Sequence, residues 1–182
     1  MSPLACPPNL AQPETIFDLL NFRISEFFGV SGALVTRICE GEFGVTREQW
    51  QLVAMLGALG QLSVSDLAGL TTIDRSQCSK TLRALTSKKL VTRQPVASDG
   101  RRALVSLSPL GRQLYEALLP RVIEVHHGAL ADMDADEIAT FARCLLKVHQ
   151  AAIRMESEGL VDAHANRRLG GSRATWPTAM GV

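Results

Sequence analysis

Two adjacent arginines, Arg101 and Arg102, directly follow the turn signal Ser98-Asp99-Gly100. Asp-Gly between β-prone segments predicts a hairpin, because glycine adopts a positive φ without steric cost. Residues 103–107, ALVSL, then alternate with the period of a β-strand. A hairpin tip needs no arginines in order to fold. The pair therefore either forms a solvated surface or contacts an anionic partner.

The basic residues are concentrated in one part of the chain. Residues 72–114 contain nine Lys or Arg and two Asp, a net charge of +7, and because the whole chain carries +1 the remainder carries −6. A basic segment of this kind is typical of a protein that binds a polyanion. The overall composition, 46% hydrophobic and 20% charged, does not by itself separate an enzyme from a binding protein.

The helical patterns inside this segment predict a helix-turn-helix. Ser63 and Asp74 each provide an N-cap for a helix, and in the second helix Cys78, Leu82 and Leu85 recur at the spacing of a buried face. The opposite face is polar and basic, and its members are Arg75, Ser76, Gln77, Ser79, Lys80 and Arg83. The second helix of this motif enters the DNA major groove, where arginine pairs with guanine and glutamine with adenine. For this helix taken alone, an ordinary amphipathic helix is the alternative.

Helical patterns also flank the basic segment. Residues 14–40 form a first helix, whose continuity is left open by Gly29 and Gly32. Ser108-Pro109 and Asp134 begin two further helices after the hairpin. Long helices on both sides of a small DNA-binding unit are what a dimerisation layer requires, and packing within one chain is the alternative.

The order of these elements resembles the MarR family of winged-helix regulators. The residues that carry the resemblance are Leu67-Ala68, residues 80–85 (KTLRAL), Leu90-Val91 with Arg93, residues 99–102 (DGRR), and Leu107-Ser108 with Gly111-Arg112. The resemblance covers residues 17–155. Members of the family commonly have glycine before the Leu-Val pair, whereas this chain has Lys89. A left-handed conformation at that lysine would cost about 1 kcal/mol relative to glycine.

The resemblance implies a mainly α fold with a small β-hairpin wing, in which a winged helix-turn-helix DNA-binding domain lies between N-terminal and C-terminal dimerisation helices. The implied boundaries are a flexible segment at 1–13, a dimerisation helix region at 14–42, the DNA-binding domain at 43–108, dimerisation helices at 109–157 and a disordered tail at 158–182.

The resemblance also implies a homodimer that binds double-stranded DNA at a pseudo-palindromic operator and acts as a repressor. The wing residues would be Arg93, Ser98, Asp99, Arg101 and Arg102. In this assignment Arg101 enters the minor groove, where a narrow groove concentrates negative potential, and Asp99 orients a wing arginine. Arg93 and Arg102 contact phosphates, which set affinity and its salt dependence.

Regulators similar to this one release DNA when a small, anionic and often aromatic molecule binds, and a coenzyme A thioester is a second effector class. The resemblance makes Arg23 the candidate for holding the carboxylate. Phe27, Phe28, Trp50 and Met55 are candidates for the apolar walls. Core packing is the alternative for these four residues, and a surface charge or a dimer ion pair is the alternative for Arg23.

Thiol oxidation is a different switch that the sequence leaves open. Cys78 lies near Lys80 at the start of the recognition helix, where a thiol pKa can be lowered, although its spacing with Leu82 predicts burial. The cysteines, at positions 6, 39, 78 and 144, have neither disulfide-framework nor zinc-site spacing. We expect no metal and no cofactor.

The sequence gives little support to an enzyme. It contains no nucleophile elbow, P-loop or dinucleotide fingerprint. His126 and His127 are a poor metal site, because adjacent helical residues point about 100° apart. A helical dimer that binds only protein is another alternative, but it leaves the basic face and the wing unexplained. No apolar run approaches the roughly 20 residues that span a bilayer, and the N-terminus lacks a secretion signal, so we expect a cytoplasmic protein without membrane contact.

Overall fold

A computed structural model of the chain describes residue 4 and residues 6–71, 73–96 and 99–161, and for residues 96 and 99–102 it describes the backbone alone. The chain forms two compact units, one ending at Ala131 and one beginning at Asp132. The division falls inside the segment 109–157 that the sequence treats as one domain.

The described residues contain six α-helices, which confirms the mainly α fold. Their bounds are α1 Leu20–Gly41, α2 Arg47–Leu59, α3 Val64–Leu70, α4 Arg75–Ser87, α5 Pro109–Ala129 and α6 Ala135–Ser157. The first helix is continuous through Gly29 and Gly32. Packing of α1 against α2 and α5 outweighs the cost of about 1 kcal/mol that each glycine imposes on a helix.

The first helix begins six residues later than the pattern predicts, after a 3-10 turn at Ile16–Asp18. The Asp18 carboxylate accepts the backbone N–H groups of Asn9 at 2.9 Å, Thr15 at 3.0 Å and Glu14 at 3.3 Å. The bond from Asn9 contributes most, followed by the Thr15 hydroxyl, which donates to Oδ2 at 2.9 Å, and together these bonds lower the pKa of Asp18 to about 2. They hold residues 9–18 in a turn, which is why the helix does not extend to Glu14.

The four side chains predicted to begin helices act as N-caps in the structure, and Thr46 does the same for α2. Each accepts the backbone N–H of the residue three positions further on, at 2.8–3.2 Å. The capping residues are Thr46, Ser63, Asp74, Ser108 and Asp134. Because a cap satisfies N–H groups that a helix cannot bond internally, these residues fix where each helix begins.

The predicted wing is present as part of a three-stranded antiparallel sheet. The strands are β1 Leu62–Ser63, β2 Val91–Val96 and β3 Asp99–Leu107, in the order β1-β3-β2. The pattern did not reveal β1, because two residues are too few to show an alternation.

The prediction that Asp99-Gly100 forms the turn is wrong, since both residues belong to β3 and Val96 pairs with Asp99. The register is regular as far as Pro95, which pairs with Ala103, and shifts immediately afterwards. Proline has no N–H to donate, so the regular ladder ends there.

The core lies where α1, α2 and α5 meet the helix-turn-helix. Its fully buried side chains are Cys39, Leu52, Val53, Leu56, Leu67, Cys78, Leu82, Leu85, Val105 and Leu118. Outside this core, Arg121 of α5 donates two hydrogen bonds of 3.0 Å to Glu42, just after α1, and these bonds lower the pKa of that carboxyl.

The junction between α4, β2 and α5 depends on close backbone contacts. Lys89 has the left-handed φ of 59° that its position after the helix requires. The Ser108 hydroxyl donates to the Lys89 carbonyl at 2.6 Å, and the Ser108 N–H donates to the Leu90 carbonyl at 3.0 Å. A Cβ atom on Gly111 would lie 1.9 Å from the Leu90 oxygen, so only glycine fits there.

We expect the variant Gly111→Ala to lower the free energy of unfolding by about 3 kcal/mol, because the backbone of β2 or α5 must move to relieve the overlap. Denaturant unfolding followed by circular dichroism measures the change. The matched control is Gly128→Ala on the same helix, where a Cβ atom meets nothing within 4 Å. Equal stability of the two variants would contradict the proposed close contact.

Candidate nucleic-acid interface

The orientation of α4 agrees with the sequence pattern. Cys78, Leu82 and Leu85 are fully buried, so one face of the helix is held in the core. On the opposite face Arg75, Ser76, Lys80 and Arg83 are exposed, while Gln77 and Ser79 are half-buried. The exposed end and outer side of α4 therefore carry the residues that the sequence pattern predicts to contact bases.

The positive charges of this face are not neutralised by neighbouring acids. Within the described part of the chain, the ion pairs are those of Arg121 with Glu42 and with Glu124. None involves Arg75, Lys80 or Arg83. An uncompensated group of cations on an exposed helix attracts a polyanion over several ångströms.

One lysine of the basic segment has a structural role instead. The Nζ atom of Lys88 donates to the Gly44 carbonyl at 2.6 Å and to Oε1 of the buried Gln49 at 2.9 Å. These bonds connect the C-terminal end of α4 to the turn before α2. The net charge of +7 in residues 72–114 therefore overstates the positive charge that is available to a binding partner.

The wing carries the remaining basic candidates. Arg93 is exposed on β2 and pairs in register with Val105. Arg101 and Arg102 lie on β3 beyond the register shift, and Asp99 is the first residue of that strand. Ser98 lies outside the described residues.

A cavity of about 930 Å³ adjoins α4, the second helix of the helix-turn-helix and the proposed recognition helix. Apolar side chains and four ionisable ones surround it; the lining includes Phe28, Val35, Glu40, Arg47, Glu48, Trp50, Ala54, Met55, Ile73, Asp74, Gln77 and Val122. Asp74 is the N-cap of α4, and Gln77 donates its backbone N–H to that cap at 2.9 Å. One wall of the cavity is therefore the N-terminal turn of the recognition helix.

Three of the five residues predicted for an effector pocket, Phe28, Trp50 and Met55, line this cavity. Phe27 and Arg23 are not among its lining residues. Arg23 instead donates from Nη2 to the Cys6 carbonyl at 2.7 Å. Among the described lining residues, the cation is Arg47, the first residue of α2. Its position at the start of a helix gave no signal of this placement in the sequence.

The thiol environments differ sharply. Cys39 and Cys78 have no exposed surface, and burial raises the pKa of each thiol. For Cys78, the nearby Arg93 opposes this rise without overcoming it. A sensor thiol needs access to solvent and a lowered pKa, so the surroundings of Cys78 are the reverse of those that thiol oxidation requires.

A helix-turn-helix with a basic outer face, followed by a hairpin wing, defines a winged-helix DNA-binding protein. The sequence model of the MarR family matches residues 43–102. The HTH-type transcriptional regulator YxaD of Bacillus subtilis is 30% identical over 107 residues, which is 59% of this chain and 75% of that protein. The chain belongs to the MarR family of transcriptional regulators.

Solved structures show the same fold. The Staphylococcus aureus MepR–DNA complex superposes with a TM-score of 0.68 at 24% identity, covering 73% of this chain and 98% of MepR. Bordetella bronchiseptica BpsR, a protein whose DNA binding is regulated by 6-hydroxynicotinic acid, superposes with a TM-score of 0.66 at 20% identity, covering 76% of this chain and 98% of BpsR.

Neither a membrane-spanning helix nor a metal-binding cluster occurs among the described residues. They contain no helix with the length and apolarity needed to cross a membrane. Nor do they bring three His, Cys, Asp or Glu side chains together as a metal-binding cluster. The rings of His126 and His127 are 5.7 Å apart and tilted by 49°.

The thiol environments lead to a prediction about labelling. In the native protein a thiol reagent should modify Cys6 and Cys144, which are exposed, much faster than Cys39 and Cys78, which react only when the fold opens. Mass spectrometry of peptides from a labelling time course measures each rate. Rapid labelling of native Cys78 would instead show that its thiol is accessible to solvent. Oxidation of that thiol would then be a workable switch.

Proposed function

We propose that this protein is a homodimeric repressor that binds a pseudo-palindromic operator and is released by a small effector. The observation that carries the DNA-binding role is the exposed, uncompensated basic face of α4, held in place by its buried opposite face. In the MepR–DNA complex a protein of the same fold is bound to DNA. The relatives are transcriptional regulators, so they give no support to the alternative that this protein is an enzyme.

The proposed DNA contacts divide by chemistry. The side chains of α4, namely Arg75, Ser76, Gln77, Ser79, Lys80 and Arg83, read base edges in the major groove. In the wing, Arg101 enters the minor groove, oriented through Asp99, while Arg93 and Arg102 contact phosphates, and Ser98 belongs to the same set of proposed contacts.

The proposed homodimer is supported by apolar surface that a single chain leaves in water. On α1, Phe27 and Phe28 are 59% and 56% exposed. In the second unit no residue of α6 is buried, and Phe141, Leu145 and Val148 are 40–51% exposed along one helix face. Large apolar side chains grouped in this way are typical of a surface that another subunit covers.

The cavity beside α4 supports release by an effector. Its lining joins α1 and α2 to Ile73, Asp74 and Gln77 at the start of the recognition helix. A ligand that fills it can therefore shift the end of α4 that is proposed to approach the bases. BpsR, which has the same fold, is regulated by a small aromatic acid.

Fluorescence anisotropy with a duplex from upstream of the protein's own gene tests the DNA contacts. Replacing Arg75 with alanine should cost about 1–3 kcal/mol on the cognate duplex and reduce the preference over an unrelated duplex. Replacing Arg93 should weaken binding to both duplexes alike and lower the slope of log affinity against log salt by about 2, because the homodimer loses two phosphate contacts.

The matched control for these arginine variants is Arg143→Ala, which alters an exposed arginine of α6 whose hydrogen-bond partner among the described residues is Thr140. It should bind DNA as the wild type does. If the wild type binds neither duplex at low salt, the basic face is not a DNA-binding surface and a protein-binding dimer becomes the better explanation.

Sedimentation velocity tests the homodimer, which should have twice the 19.7 kDa mass of one chain. Leu145→Glu places a charge on the apolar face of α6 and should weaken dimerisation by about 2 kcal/mol or more, a factor of about 30. Gln150→Glu adds the same charge on the opposite face of the helix and should leave the dimer intact. A monomeric wild type would remove the homodimer from the proposal.

A further inference from the structure

We infer that the hydrogen bond between Lys88 and Gln49 sets the DNA-sequence preference of this protein, with Lys88 acting as a positioning residue for α4 and not as a phosphate contact. The inference rests on the proposed function, in which α4 reads base edges. It adds the pair of residues that fixes the angle at which α4 meets the DNA.

The turn between α1 and α2 gives Lys88 a fixed anchor. The chain reverses at Gly44, whose φ is 62°. Two residues further on, Thr46 donates its N–H at 3.2 Å to Oε1 of the buried Gln49 and accepts the Gln49 N–H on its own hydroxyl at 3.2 Å. The two acceptors of Lys88, the Gly44 carbonyl and Gln49 Oε1, therefore belong to a segment that is itself held by hydrogen bonds.

The ammonium group of Lys88 is committed to this anchor. Its bonds to the Gly44 carbonyl and to Gln49 occupy two of its three N–H donors. Hydrogen bonds from a charged donor are about twice as strong as those between neutral groups. A phosphate contact by Lys88 would have to break these bonds, which separates it from the exposed cations of α4.

A second set of bonds attaches the same end of α4 to α5. The Ser108 hydroxyl donates to the Lys89 carbonyl, and the Ser108 N–H donates to the Leu90 carbonyl. The C-terminal end of α4 is thus attached at two points, through Lys88 to the turn before α2 and through the next two residues to α5. Two attachments on different elements resist a tilt of the helix, whereas a single attachment leaves a point about which it can turn.

The buried face of α4 does not replace the bond of Lys88. Burial of Leu82 and Leu85 decides which face of the helix points inward, but the hydrophobic effect has no preferred direction. A small tilt therefore keeps most of the buried apolar area. A hydrogen bond weakens steeply with distance and angle, so the bond between Lys88 and Gln49 resists a tilt that apolar packing allows.

The length of α4 amplifies any tilt. At a rise of 1.5 Å per residue, Arg75 lies about 18 Å along the axis from Ser87, so a tilt of about 5° at the C-terminal end moves the N-terminal end by about 1.5 Å. Hydrogen bonds to base edges tolerate only about 0.5 Å. Phosphate contacts tolerate more, because they act through charge at the ends of long side chains. Loss of the bond should therefore reduce sequence preference and spare non-specific affinity.

Fluorescence anisotropy on the full-length protein, with the cognate and unrelated duplexes across a salt series, tests this inference. Lys88→Met removes the ammonium group but keeps an aliphatic stem, which lines a cavity of about 400 Å³ with Leu90 and Leu110. The variant should lower the preference for the cognate duplex about 10-fold and leave the affinity for the unrelated duplex and the salt slopes at wild-type values. Lys147→Met, which alters an exposed lysine of α6, is the control and should keep the preference.

Variants of Gln49 separate the bond from the charge of Lys88. Gln49→Met removes the acceptor, leaves the lysine in place, and should lower the preference as much as Lys88→Met does. Gln49→Glu keeps an acceptor for Thr46 and Lys88 and should retain the preference. The double methionine variant should lose no more than either single one, because both remove the same bond. The two single variants break the bond from opposite sides, so one suffices if circular dichroism shows that the other is unfolded.

A cognate preference retained by both methionine variants would overturn the inference. So would a salt slope lowered by about 2 in Lys88→Met, which indicates the loss of one phosphate contact in each subunit. A wild type that binds neither duplex overturns the proposed function and this inference with it. A wild type that prefers the cognate duplex supports the DNA-binding role whatever the variants show, so the two failures are distinguishable.

Discussion

The burial of one face of α4 is the constraint on which the rest of this molecule depends. Cys78, Leu82 and Leu85 have no exposed surface, and each buried leucine contributes about 1.5–3 kcal/mol relative to exposure. Turning the helix by one residue position, about 100°, would bring these side chains into water and bury Arg75 or Lys80. The outward direction of the basic side chains is thus enforced by the core beneath them.

The same helix connects the core to the cavity. Asp74 caps the N-terminus of α4 and is also part of the cavity wall. The C-terminal end of α4 is held by Lys88, which bonds to Gly44 and Gln49. One end of α4 is therefore fixed by direct bonds to the turn before α2, and the other end faces a space that a ligand can fill. In the proposed release by an effector, this asymmetry makes the N-terminal end of α4 the part that a ligand in the cavity would shift.

Local signals in the sequence were sufficient for the caps, for the buried face of α4 and for the hairpin, because each depends on residues three or four positions apart or on adjacent strands. The position of Arg47 in the cavity wall could not be predicted from the sequence, since it depends on the approach of α2 to Phe28 and Gly32 of α1. The Asp99-Gly100 turn was misassigned because the absence of an N–H on Pro95, rather than the glycine, decides where the regular pairing ends.

The register shift beyond Pro95 separates the wing into two parts with different tolerances. As far as the pair of Pro95 and Ala103, every residue of β2 has a fixed partner, and a one-residue slip would exchange the two faces of the sheet. Beyond that pair, residues 100–102 stand between the partners Asp99 and Ala103 with no counterpart on β2. Insertions and deletions there leave the sheet in register, so the reach of the wing can diverge among relatives while the scaffold that carries it stays the same.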